Sequence, residues 1–337
     1  MTNKSGDAYK IYRKELLSNE RVRELSQLQP ARAVKDTLFS WSIIVVVWLL
    51  VAFYPTWWMV LLAIPLIGSR FYALFIIGHD GLHRRLFNKI EHNDLFNDIF
   101  IMAPIGAITR INNLNHLKHH FHLATEEDPD RPKHACFNKT DHNELFIYLS
   151  GVIRVFLSLY HVYIKPLISN QSPGLTKQNI NRSKRVTYRW QDILLLVIWQ
   201  GGLFFGLTFA IGWWAYPMLW LLPVYVYTFL ADNLRSFLEH SQPEADDKAD
   251  RHRLITHISN PIERIFLAPM NMNFHTVHHL WPSIPYYNLP IADAEIRNSP
   301  YAEGLEWRKT YLGYLWRYIN ALPLEECRVK PVSSESA

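Results

Sequence analysis

The chain has 337 residues, 49% of them hydrophobic, and a formal net charge of +5. Its two Cys exclude a disulfide framework and a cysteine-ligated iron–sulfur cluster. The modest basic balance calls for no nucleic-acid partner and reads as orientation against anionic lipid. In chain order, residues 1–36 are polar and charged, contain no signal peptide, and read as an N-terminal cytoplasmic tail. Thr37 to Ser69 then carries no charge. As one helix it would be about 50 Å long, beyond a hydrocarbon core of roughly 30 Å. It must fold back, and Tyr54-Pro55-Thr56-Trp57-Trp58 supplies the proline and the interfacial aromatics for the turn. The predicted spans are 37–53 and 57–77. Leu95 to Ile111 and Leu145 to Ile164 are apolar but interrupted by Asp98 and Arg154, and read as in-plane or re-entrant helices. A second uncharged run, Ile193 to Ala231, breaks at Gly212-Trp213-Trp214-Ala215-Tyr216-Pro217 into spans 193–211 and 217–231.

Lys and Arg test this topology independently, because they gather in cytoplasmic loops. Neither hairpin tip carries one; eight precede Thr37, fifteen lie between Asp80 and Arg189, eleven follow Ala231, and only Arg70 falls within a span. Both termini and the central segment are expected on the cytoplasmic face. Arg70, at membrane depth, is expected either to meet a headgroup or buried acid or to snorkel to the interface. The fold class expected is an all-α integral membrane protein with four transmembrane helices in two hairpins, in-plane helices, and a cytoplasmic helical cap. Its membrane domain is placed at 37–290 and a C-terminal cytoplasmic tail at 291–337.

The functional argument rests on the 16 His. His79 and His83 are four apart at the cytoplasmic end of the second span. His116, His119 and His120 follow, and the same spacing returns as His275, His278 and His279. Positions i, i+3 and i+4 share a helix face, so each triplet is expected to point three imidazoles one way. His122 falls on the opposite side, and His92, His134, His142, His161, His252 and His257 read as solvated or satisfied by backbone. His240, beyond the fourth span in Arg235-Ser236-Phe237-Leu238-Glu239-His240, is a ninth candidate. Eight or nine imidazoles exceed what one ion takes, so two metal ions are implied, and neutral imidazole suits Fe, Zn, Cu and Ni. Asp80, Asp128, Asp130 and Glu239 lie near enough to orient ring N–H groups, although Asp128 and Asp130, flanking Pro129, equally suit a turn.

His79-Asp80-Gly81-Leu82-His83, His116-x-x-His119-His120 and His275-x-x-His278-His279 resemble the three histidine boxes of membrane fatty acid desaturases and their hydroxylase and ketolase relatives. Glu127 to Asp130, Arg235 to His240, and Leu280-Trp281-Pro282-Ser283-Ile284-Pro285 with Asn288-Leu289-Pro290 extend the likeness. The resemblance implies a di-iron centre (two Fe) that uses O2 to take hydrogen from an unactivated C–H bond of a lipid acyl chain. It implies His79, His83, His116, His119, His120, His275, His278 and His279 as ligands, with His240 as a ninth and Asp80, Asp130, Arg235 and Glu239 in support. The first box has three intervening residues where stearoyl-type acyl-CoA desaturases have four, and Ser236 stands where those have Asn. Both departures favour an acyl-lipid or bacterial-type member. The third box opens on His, where front-end desaturases carry Gln.

Electrons are expected from an external donor, a ferredoxin or cytochrome type, since no G-x-G-x-x-G motif or haem domain is visible. The bacterial inner membrane is preferred over the endoplasmic reticulum. The related reading is a lipid hydroxylase or carotenoid ketolase. Distant readings are an intramembrane zinc protease, from His79-x-x-x-His83 with Asp80 in place of the Glu expected as general base, and a metal transporter.

Overall fold

A computed structural model describes residues 10–123, 128, 188–240, 254–302, 305–320 and 322–329. The expectations for residues 130, 134, 142, 161 and 252 and for the stretch 145–164 fall outside them.

The molecule is mostly helical. Short helices α1 (Lys10–Leu16) and α2 (Asn19–Leu25) lead into α3 (Pro30–Phe53), with Pro30 at its first turn, where a missing N–H costs nothing. The chain turns at Tyr54-Pro55-Thr56 into α4 (Trp57–Leu82), which runs past the expected span end and carries the first histidine box at its C-terminus, with His83 as the cap. α5 (Ile90–Asn97) passes into a π-helical turn, Asp98–Met102, and a 3-10 turn, Ala103–Ile105, before α6 (Thr109–His122). The apolar stretch expected as one helix from Leu95 is therefore broken, and Gly106 makes the break at φ +77°.

α7 (Trp190–Ala210) is the third long apolar helix. Among the described residues three helices, α3, α4 and α7, are long and apolar enough to cross a membrane. They mark the chain as a membrane protein. The stretch expected as a fourth span is helical but differs in kind: Pro217–Tyr227 is π-helical and runs into α8 (Thr228–His240). Pro223 has no N–H, and the Thr228 N–H donates five residues back to the Pro223 carbonyl, which is the wider register.

α3 and α4 pack along each other, and the π segment lies along α4. A Cβ on Gly68 would stand 2.4 Å from Tyr227 Cδ1, so glycine is what lets the two backbones approach. Trp220 is fully buried there, stacked on Trp41 at 5.9 Å and edge-on to Phe71 at 5.3 Å. The outward faces of α3, α4 and α7 expose residues such as Val46, Leu61 and Val197, as lipid-facing helices do.

Beyond α8, three short strands form a sheet: β1 (Ile255–His257) runs parallel to β2 (Glu306–Arg308), which runs antiparallel to β3 (Arg328–Val329). This departs from the all-α expectation; strands this short leave no periodicity to read. Between them lie α9 (Pro261–Phe266), α10 (His275–Leu280) and α11 (Leu289–Arg297), and α12 (Tyr311–Ile319) follows β2. The described parts of the stretches expected as tails contribute side chains to the core. Leu16, Leu17 and Leu25 are buried, Arg21 holds Glu295 at 2.5 Å, and Trp307, Tyr311 and Tyr314 are among the largest fully buried side chains.

Candidate metal centre

Four helix segments supply the imidazoles. His79 lies in the last turn of α4 and His83 caps it, and His116, His119 and His120 lie along α6. His240 ends α8, and His275, His278 and His279 lie on α10. All nine candidates converge, in two groups. One ring nitrogen from each of His79, His83, His116, His120 and His278 lies within 4.8 Å of the others, and the same holds for His119, His240 and His279. His275 joins the second group, its Nε2 2.8 Å from His240 Nε2 and 2.9 Å from His279 Nε2. In the first group Nε2 atoms approach at 2.7 Å (His83 and His116), 3.1 Å (His116 and His120) and 3.2 Å (His120 and His278).

This arrangement corrects the expectation that each triplet points one way. On a helix the i+3 residue is turned about 60° from i and about 100° from i+4. Accordingly His116 and His120 enter the first group and His119 the second, while His275 and His279 enter the second and His278 the first. Each half of the chain lends one histidine to the other half's group.

The donor set suits two cations. Burial is the main cause that holds His83, His120, His275, His278 and His279 well below the usual imidazole range, and neighbouring rings add to it. Neutral imidazole is the form that ligates metal. A ring nitrogen of a neutral imidazole carries either one proton or one lone pair, so His116 Nε2, within 3.1 Å of both His83 Nε2 and His120 Nε2, cannot make a full hydrogen bond to each. The Nδ1 atoms of His79, His120 and His278 are buried with no hydrogen-bond partner among the described residues. Such a cluster is costly to bury without an ion to gather its lone pairs.

Carboxylates stand behind the rings. Asp128, 3% exposed, accepts from His119 Nδ1 at 2.9 Å and so fixes the orientation of a ring that belongs to the second group. Glu239 is fully buried and accepts from Arg235 Nη1 at 2.5 Å and from the Tyr311 hydroxyl; its Oε2 lies 3.5 Å from His275 Nδ1. Burial raises the Glu239 carboxyl and the adjacent guanidinium opposes the rise. Arg235 in turn donates to the Tyr72 hydroxyl at 2.6 Å and to Asp232 at 3.1 Å. Asp80 serves differently from expectation: its Oδ2 accepts the backbone N–H of Tyr286 at 2.7 Å, tying the first box to the loop after the third. Tyr72 and Tyr311 were not legible as site residues, since neither lies in a box; the buried tyrosine stripe of α12 was the one available signal.

The first box also needs its glycine. A Cβ on Gly81 would meet the Asn97 amide at 2.4 Å, and Asn97 is fixed by bonds to the Gly78 carbonyl and Thr109 Oγ1. His92, His122 and His257 stay outside both groups; His257 Nε2 donates to the Leu238 carbonyl at 3.1 Å. Among the described residues Arg70 pairs with no acid, and its side chain is half-buried. Its Nη2 donates to the Ile265 carbonyl at 3.2 Å.

A cavity of about 450 Å³ reaches the first group at His116. Phe71, Phe75, Met102 and Val224 give it apolar walls, and Thr228, Asn112, Asn115 and Asp232 a polar margin. Phe71 lies eleven residues before Leu82 on the same helix, so the cavity follows α4 for roughly 16 Å at 1.5 Å per residue.

Residues 55–311 match the protein family described as fatty acid desaturase. The chain is 26% identical over 260 residues to the sn-1 acyl-lipid omega-3 desaturase (ferredoxin) of Nostoc sp. (strain 36), covering 73% of this chain and 67% of that protein. It is 25% identical over 294 residues to the dihydrorhizobitoxine desaturase of Bradyrhizobium elkanii, covering 84% and 82%. To the beta-carotene ketolase of Paracoccus sp. (strain N81106 / MBIC 01143) it is 22% identical over 259 residues, covering 73% and 88%.

Proposed function

Since the chain belongs to the fatty acid desaturase family of oxidoreductases, we propose that it is an acyl-lipid desaturase that places a double bond in a lipid acyl chain with two irons, O2 and an external electron donor. The observation that carries this reading is the largely apolar cavity along α4 that reaches His116, a slot suited to a chain with no polar handle near the reacting carbons. One iron would be held by His79, His83, His116, His120 and His278, the other by His119, His240, His275 and His279. Bound there, the metal pair would supply the O2-derived oxidising power that an alkyl C–H bond demands and side chains lack. Overall, two hydrogens leave adjacent carbons, and O2 with two electrons and two protons becomes two waters. The protein's part is to hold the rings neutral, seat the chain against His116, and keep the slot dry with Phe71, Phe75 and Val224.

Pro217–Ala231 would complete four crossings, placing the boxes, the cap and both termini on the cytoplasmic face, in a bacterial inner membrane rather than the endoplasmic reticulum. The donor favoured is a ferredoxin, which the name of the Nostoc relative carries and which the basic cytoplasmic segments could dock. A lipid hydroxylase or carotenoid ketolase is the competing chemistry, and the Paracoccus relative supports keeping it in view.

The test is lipid profiling by mass spectrometry of a bacterial host that expresses the chain with a ferredoxin system, beside its His119→Ala variant. A lipid lighter by two hydrogens, absent from the variant, is the expected result. A gain of oxygen reassigns the chain as a hydroxylase or ketolase.

A further inference from the structure

α12 has two faces. Tyr311, Tyr314 and Tyr318 are buried against the cap, while Leu312, Trp316 and Ile319 are 53%, 65% and 45% exposed at i, i+4 and i+7 spacing. Three large apolar side chains in one stripe is the pattern of a helix that lies on something apolar. α9 continues the stripe: Ile262 and Ile265 are 66% and 45% exposed, and Glu263, capping its own helix against Asn260, accepts the Leu312 backbone N–H at 2.8 Å and so binds the two helices together.

What covers this face follows from the height at which α9 sits. α9 packs on α4, and Arg70 donates to its Ile265 carbonyl. Arg70 is thirteen residues past Trp57, hence about 20 Å along a helix that crosses a core of roughly 30 Å. That puts α9 about 10 Å inside the cytoplasmic boundary of the hydrocarbon, the depth at which in-plane amphipathic helices ride. Arg70 meets the cost of its charge there by pairing with a backbone carbonyl at the end of α9.

We infer that Ile262, Ile265, Leu312, Trp316 and Ile319 form a foot embedded in the cytoplasmic leaflet, with lipid as its partner. The inference rests on α4 crossing the membrane with Trp57 on the far side, as proposed above. The foot's other face carries Tyr311, so the element that sits in lipid also braces Glu239 behind the metal site.

Nitroxide labels at single cysteines, in the full chain carrying Cys136→Ser and Cys327→Ser and reconstituted in phosphatidylethanolamine and phosphatidylglycerol vesicles, test this. Labels replacing Leu312, Trp316 and Ile319 are expected to relax several-fold more with O2 than with a water-soluble nickel chelate, and a label replacing exposed Glu20 the reverse. A label replacing Leu61 reports on the span itself: if it too favours nickel, the membrane placement of α4 has failed and not the foot alone. A water-exposed label at position 316 with a lipid-exposed one at position 61 overturns the foot, as does shielding from both reagents, which means protein covers it. Should the cysteine background not fold, the loss of tryptophan emission in Trp316→Phe gives a second measure; the lost component is expected to be quenched by brominated lipid, and an unquenched one overturns the inference.

Discussion

Tyr311 donates to Glu239 Oε1 across 72 residues of chain, and Glu239 meets Arg235 at 2.5 Å and His275 Nδ1 at 3.5 Å on its other oxygen. A residue of the last long helix thus holds the acid that steadies a ring of the second histidine group. Tyr311→Phe keeps the stacking on His257, whose ring centroid is 4.1 Å away, and removes only the hydroxyl. Iron affinity is expected to fall about 10- to 100-fold, the usual cost of losing an orienting partner. Melting of the metal-free protein, set beside titration with ferrous iron, separates this from plain loss of stability.

Asp128→Asn is expected to act on the same quantity from the other side of the second group. The amide can offer an N–H where His119 needs an acceptor, so the ring loses its preferred tautomer. Metal analysis of the purified variant should show one ion retained and the other depleted, because the ring this acid orients, His119, belongs to the second group.

Two glycines should respond in opposite senses to alanine. At Gly81 the new methyl meets the fixed Asn97 amide at 2.4 Å, and overpacking of this kind costs about 1–3 kcal/mol. At Gly202 nothing lies within 4 Å of the added carbon, so Gly202→Ala should stabilise its helix by about 0.5–1 kcal/mol. Thermal melts in one detergent, variant against wild type, read both.

Acid sensitivity has a source outside the metal groups. Burial, reinforced by Arg308, brings His257 from 6.5 down to about 3. The unfolded chain therefore takes up a proton near pH 6.5 that the folded chain refuses. The stability tied to neutral His257 is complete above that pH and is lost as pH falls toward 3, by about 2 kcal/mol at pH 5. His257→Gln, which can still donate to the Leu238 carbonyl, should flatten the melting profile between pH 6.5 and 5 relative to wild type; parallel profiles would refute the assignment.

The two uncharged runs, the prolines at positions 55 and 217 and the repeated histidine spacing made the long helices and the nine rings readable, because each is a local pattern. The division of the rings was not readable, since it depends on how α6 and α10 face each other across masses of intervening chain. Pro223 hid the π register of the last apolar segment: hydropathy sees its composition and not its hydrogen bonds. Asp80 looked like a ring-orienting acid by position alone, whereas its partner is the backbone of Tyr286, two hundred residues further on. The segments before α3 and after α11 looked like tails because they are polar on average, and the average conceals the buried faces of α2 and α12.

The exchange of His119 and His278 between groups has a consequence for assembly. Four rings from the first half of the chain wait for one from the second, and three from the second wait for one from the first. An ion held by either group would therefore bridge the two halves of the chain, so metal binding would fasten them to each other as well as arm the site, and a chain whose halves had not met would offer each ion a smaller set of rings.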